Sequence, residues 1–339
     1  MASGATSVEA STTQALPSPS GIEDKMAESS LTGLMGLSIV AVVVVLGVVG
    51  LAVLVNRGNT KGNVAPANRS NHGGGGNKCP WSYDGNNGPK PDRWGDLVFC
   101  MPGAVCDTGF SQSPIEIPAG LEDEEGDFVL DNYDRHFKKF DVNVEGSAVM
   151  VVIKEPGPVP TVEGESVLGE GKFVLQQFHF HIGSNDNQGA EHKIDAAGRN
   201  FPMEVHFVHA REGKGSVAEA LAEPGNVLVM AVLFQVEEKP ADNKADAVLT
   251  AIIDKIGVST DAVKALNLED FVGPITTYYH YNGSLTTPPC TEGVKWIVLD
   301  SHPSVKSKTL QLLRDKSSRV RKDNFRPYRS PQKRRVKKY

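Results

Sequence analysis

A β-dominated domain with a few peripheral helices is the fold class this sequence predicts. Short runs of strand texture fill the region after residue 79, at 148–154, 172–182, 203–210, 227–236 and 294–299. Helical patterns at 216–222, 243–256 and 305–316 sit singly between them. They are too few for a regular βαβ repeat, and no internal repeat is present. The chain of 339 residues has room for one large domain or two ordinary ones.

Residues 1–33 are rich in Ser, Thr, Ala and Glu and poor in apolar side chains, the composition of a disordered head. Residues 34–55 then run without a charge. As a helix this stretch spans roughly 33 Å, enough for a bilayer core of about 30 Å. A cleaved signal has an apolar stretch of only about 7–15 residues nearer the N-terminus, so a retained transmembrane signal-anchor is expected. Residues 56–78 are Asn/Gly-rich and include four consecutive glycines, Gly73 to Gly76, which reads as a flexible linker. A folded domain is expected over 79–339.

Net charge is −6 but unevenly spread. From residue 314 onward there are twelve Lys/Arg against Asp315 and Asp323, leaving the remainder near −16. Such an end could meet nucleic acid or anionic lipid. Phe325, Pro327, Tyr328 and Val336 interrupt it, however, as a segment attached to a fold would be interrupted. We read it as a solvated terminal segment, with no nucleic-acid partner. The four cysteines, Cys79, Cys100, Cys106 and Cys290, fit two disulfides or four thiols, and no Cys-x-x-Cys pair suggests a sulfur-ligated metal.

The chemistry concentrates in Gln177-Phe178-His179-Phe180-His181. In a strand, Gln177, His179 and His181 share one face and the two phenylalanines the other. Two imidazoles do not make a stable metal site. Beyond a polar loop at 183–202 comes a second alternating run, Glu204-Val205-His206-Phe207-Val208-His209. Antiparallel pairing of the two runs would bring His206 against His179 and His181. Three neutral imidazoles are the ligand set of a catalytic zinc with an open fourth position. Gln177 and Glu204 lie on the correct faces to accept the rings' other N–H groups. His209 faces away and reads as a core histidine.

Several motifs stand in the order and approximate spacing of an α-class carbonic anhydrase, which this chain resembles from Cys79 to about Lys338. They are the two histidine runs, Glu191-His192, Gly283-Ser284-Leu285-Thr286-Thr287-Pro288-Pro289, Trp81-Ser82-Tyr83, Gln112-Ser113-Pro114-Ile115 and Asn324-Phe325-Arg326-Pro327. The resemblance implies a large, twisted, mostly antiparallel central sheet with Zn2+ at the bottom of a conical cleft. It implies reversible hydration of CO2 to bicarbonate and a proton, with His179, His181 and His206 as ligands. It assigns orientation of the attacking oxygen to Thr286 and Glu191, and the border of the substrate to Thr287. The apolar wall for CO2 would be Val208, Val229, Leu285, Val294 and Trp296. His192 matches a structural position.

One departure matters. Fast members of this family carry a proton-shuttling histidine partway up the cleft, and the matching position here is Ser147. Serine does not titrate near neutral pH. Cysteines at positions similar to Cys106 and Cys290 form a bridge in secreted and membrane-bound relatives, which leaves Cys79 and Cys100 as a second pair. Disulfides persist in oxidising compartments. The flank charges of 34–55 would put the domain in the cytosol. The cysteines and the Asn68-Arg69-Ser70 glycosylation pattern favour a lumen or the exterior, and that placement is the expectation. The alternative from another class, a non-catalytic binding domain on a membrane stalk, typically lacks a zinc ligand. A zinc hydrolase of the His-Glu-x-x-His type would need a helix motif that is absent.

Overall fold

The computed structural model describes residues 79–144, 146–259, 264–317 and 323–339. The expected head (1–33), membrane span (34–55) and linker (56–78) lie outside the described residues. Among the described residues no helix is long and apolar enough to cross a membrane.

An eleven-stranded sheet dominates. Its main path uses β1 (Phe140–Asn143), β2 (Val149–Ile153), β3 (Phe173–Ile182), β4 (Met203–Arg211), β5 (Val227–Val236), β6 (Tyr278–Ser284), β7 (Glu292–Leu299) and β8 (Lys337–Lys338). Across the sheet the order is β8-β6-β7-β5-β4-β3-β2-β1. Only the β5–β7 pairing on this path is parallel; the rest are antiparallel. The mainly β expectation holds.

The sheet separates two cores. On one face Phe178, Phe180, Val205, Phe207, Leu228 and Met230 pack with apolar residues of helix α1 (Lys244–Lys255) and helix α2 (Ser307–Lys316). Ala245, Val248, Leu249 and Ile252 are the buried stripe of α1, spaced as a helix face requires. On the opposite face Val208, Val229, Ala231, Val294, Trp296, Tyr279 and Tyr281 form the second core. Alternation along β3, β4 and β5 thus sends the phenylalanines under the helices, and His179, His181 and His206 toward the other side.

β3, β4 and β5 match the expected runs to within a residue at each end. β6 carries no readable alternation, because Tyr278, Tyr279, His280 and Tyr281 are all buried and both faces are covered. The helix expected over 305–316 begins later, because Ser304 and Val305 pair in parallel with Gln235 and Val236. The helix expected over 216–222 shrinks to Val217–Ala220, with Ser216 accepting from Glu219 N. The basic end is a folded segment: Asn324 and Arg326 are fully buried, Val336 is nearly so, and Lys337–Lys338 is β8. Tyr328 is the exception and stays exposed. Arg335 and Lys337 pair with Glu124, and Lys338 with Asp123.

Two buried histidines lie in this framework outside the histidine cluster. His209 Nε2 meets Tyr133 Oη at 2.6 Å and its Nδ1 meets Leu228 O at 3.3 Å. Burial pushes both His209 and His280 down to about 4. The unfolded chain, with histidine near 6.5, takes up protons the folded chain refuses between those values. Stability is therefore full above pH 6.5 and falls as pH drops toward 4, by up to about 1.4 kcal/mol per pH unit per histidine. Urea-unfolding midpoints measured from pH 7 to 5 are expected to fall, and His209→Gln to make the fall shallower; an unchanged slope would show that His209 is not held neutral.

Candidate metal centre

The strand register sets the site. β3 and β4 pair so that His179 faces His206 and His181 faces Glu204. β5 then places Ala231 beside His206, a small side chain next to the imidazole. His181 and His206 are buried, and His179 is half-buried. Their ring centroids stand 4.4 to 5.3 Å apart.

Each ring spends one nitrogen on an acceptor. His179 Nδ1 donates to Gln177 Oε1 at 3.0 Å, His181 Nδ1 to Asn324 O at 2.7 Å, and His206 Nε2 to Glu204 Oε1 at 2.6 Å. A neutral imidazole with one N–H carries a lone pair on the other nitrogen. The free lone pairs are therefore on His179 Nε2, His181 Nε2 and His206 Nδ1. Burial lowers the pKa of all three rings, which keeps them neutral. His181 Nε2 and His206 Nδ1 stand 3.1 Å apart. Two lone pairs facing at that distance repel unless a cation lies between them. Two nitrogens about 2.0–2.1 Å from one tetrahedral zinc would be about 3.3–3.4 Å apart, so the donor set fits such an ion. His192, Glu204 and His206 also converge, but there Glu204 Oε1 already accepts a hydrogen bond from each of the two rings.

Glu204 is the hub of the surroundings. Oε1 accepts from His206 and from His192 Nδ1 at 2.6 Å; Oε2 accepts from Glu191 N and His192 N at 2.8 Å. Burial opposes its charge, but the electrostatic pull and hydrogen bonds of His192 and His206 outweigh it and hold its pKa well below the usual carboxylate range. His192 Nε2 then accepts from Tyr281 Oη at 2.7 Å, which accepts from Ser113 Oγ at 2.9 Å. The matched residue His192 is thus a link between Glu204 and β6.

Glu191 is buried between the histidines and the C-terminal segment. Its Oε1 accepts from Arg326 N at 2.7 Å. Burial pushes its pKa up to about 7, while His206 and the nearby Thr286 hydroxyl favour the charged form. Glu191 Oε2 has no hydrogen-bond partner, so the Thr286 hydroxyl lies beside the carboxylate without closing a full bond to it. Thr286 is buried. Its loop is fixed by Leu285 N to Thr291 O, Cys290 N to Thr287 O and Val105 N to Pro289 O. The disulfides are Cys106–Cys290 and Cys79–Cys100. Arg326, fully buried, donates to Cys106 O, Ser113 O and Gln112 Oε1.

The expected wall residues Val208, Val229, Val294 and Trp296 are buried in one cluster, with Leu285 packed against it. Met150, opposite His179, adds a further side chain on that face. Thr287 is half-buried, and Ser147 is half-buried with its carbonyl accepting from Asn324 Nδ2 at 2.9 Å. Asn324 is the contributor that sequence reasoning passed over. Its carbonyl orients His181, and its side chain ties Ile182 N, Phe180 O and Ser147 O together. Its signal lay in the Asn-Phe-Arg-Pro motif, but that motif does not say which strand it grips.

Comparison with known proteins agrees with this geometry. A model of the eukaryotic-type carbonic anhydrase family matches residues 89–339. Carbonic anhydrase of Neisseria gonorrhoeae is 33% identical over 233 residues, covering 68% of this chain and 77% of that protein. Carbonic anhydrase 6 of Mus musculus is 31% identical over 231 residues, covering 65% and 67%. Carbonic anhydrase of Pectobacterium carotovorum is 31% identical over 225 residues, covering 66% and 77%. With the match running through the whole sheet and both histidine strands, this chain belongs to the eukaryotic-type carbonic anhydrase family.

Proposed function

We propose that this chain catalyses the zinc-dependent, reversible hydration of CO2 to bicarbonate and a proton. The observation that carries the reading is the convergence of three imidazole lone pairs whose partner nitrogens are each held by a protein acceptor. His179, His181 and His206 would hold Zn2+, which when bound supplies the acidity that turns water into a nucleophile near neutral pH.

The remaining steps belong to the protein. Gln177, Asn324 and Glu204 fix the ring orientations and tautomers. Glu191, with one oxygen held by Arg326 N, offers the other to the Thr286 hydroxyl. A bound dication favours the charged form of Glu191 that this requires. With its proton directed to Glu191, Thr286 can accept only from the attacking oxygen, which aims that oxygen's remaining lone pair along the cleft. Val208, Val229, Leu285, Val294 and Trp296 give the apolar, poorly hydrating wall that an uncharged, linear substrate needs. Thr287 borders the substrate. The proton must then leave through the cleft, and Ser147 offers no titrating group near neutral pH.

We also place the domain in a lumen or outside the cell, on a single membrane span at 34–55. The two disulfides support this side of the membrane.

Three outcomes test these assignments on the full chain. His206→Ala is expected to lose both bound zinc and CO2 hydration; full activity with zinc retained would overturn the ligand set. Thr286→Ala is expected to keep its zinc and lose about 10²-fold or more in kcat, the scale of removing one oriented polar group. Turnover in dilute buffer is expected to rise with added imidazole, and Ser147→His to raise it without imidazole. A flat response at high turnover would contradict slow proton release.

A further inference from the structure

A second Asn-x-Ser pattern, Asn282-Gly283-Ser284, lies inside β6. This pattern is the acceptor of N-linked glycans. Asn282 is exposed while Tyr281, Gly283 and Ser284 around it are buried. The sheet explains the difference. β8 and Tyr339 bond β6 from Tyr278 to His280, and among the described residues no strand pairs with Asn282 on that side. On its other side Asn282 pairs with Lys295 of β7, which is half-buried. Alternation puts Asn282 on the strand face of Tyr278 and His280, opposite Tyr279 and Tyr281, which pack with Val294 and Trp296 beside the histidines. A large polar group on Asn282 would therefore project from the face opposite Tyr281 and Trp296.

The other two residues of the pattern are locked. Ser284 Oγ accepts from Ser113 N and donates to Leu285 O, both at 2.8 Å, and Ser284 N donates to Ser113 Oγ at 3.1 Å. Gly283 lies so close beneath the same segment that a Cβ there would stand 2.1 Å from Ser113 Oγ. Ser113 is 171 residues upstream, so this contact cannot form until both segments have been made, and the Cys106–Cys290 bridge joins the same two stretches of chain. A transferase that must read asparagine and hydroxyl together in one open chain cannot do so once the contact has formed.

We infer that Asn282 carries an N-linked glycan, attached before the Ser113–Ser284 contact closes. In the transfer the Asn282 amide nitrogen bonds to the anomeric carbon of an oligosaccharide carried on a lipid pyrophosphate. The sugar–phosphate bond breaks, the amide releases one proton, and the lipid pyrophosphate leaves. The inference rests on the luminal placement proposed above and is independent of the CO2 chemistry.

The test is synthesis of the full chain with sealed endoplasmic-reticulum microsomes, in an Asn68→Gln background that removes the first pattern. One PNGase F-sensitive mobility shift is expected, lost in Asn282→Gln. Dithiothreitol during synthesis, which keeps Cys106 and Cys290 apart, is expected to raise the glycosylated fraction. Asn282→Gln is expected to hydrate CO2 at the rate of its parent. A domain protected from added protease but lacking the shift, or a shift that survives Asn282→Gln, overturns the site. A domain digested from outside the vesicles overturns the luminal placement and the inference with it.

Discussion

The charge on Glu204 is the constraint on which the rest of the site depends. A buried carboxylate is tolerated only when its lone pairs are filled, and here four N–H groups fill them. Those donors are the ring of His206, the ring of His192 and the backbone at Glu191 and His192. One side chain on β4 therefore fixes which nitrogen of His206 is free and where the loop carrying Glu191 sits. Through His192 it also reaches Tyr281 on β6. Loss of Glu204 would free a histidine tautomer and misplace a second carboxylate together, so the arrangement acts as a unit.

A second unit ties residues 106–113, on the N-terminal side of the domain, to Arg326 and to the loop of Thr286. Arg326 binds three groups of the N-terminal segment, while its backbone holds Glu191. Cys106–Cys290 bridges that segment to the loop of Thr286. In the chain-entropy view a bridge across 184 residues stabilises by roughly 5 kcal/mol. Its further consequence is geometric, since it ties the residue after Pro289 to the chain that Arg326 grips. Thr286 and Glu191, 95 positions apart in the sequence, are thereby held side by side.

Much of this was legible in the residues. The alternation in 172–182 and 203–210 specified two strands and the faces of His179, His181 and His206, because one face of each strand is a dense apolar core that forbids a register slip. Gln177 and Glu204 were legible for the same reason. The role of Asn324 was not, since a carbonyl acceptor carries no side-chain signature. β6 was hidden because aromatic residues cover both of its faces, leaving no period to read. The unpartnered Glu191 Oε2 beside Thr286 was equally invisible, being a matter of orientation within a contact.

The central claim is that three particular nitrogens face one point. The most direct measurement is a crystal structure of the zinc-loaded protein with anomalous diffraction collected at the zinc edge. The account predicts one fully occupied peak about 2.0–2.1 Å from His179 Nε2, His181 Nε2 and His206 Nδ1. A peak bound through His206 Nε2, or seated among His192, Glu204 and His206 instead, would contradict it.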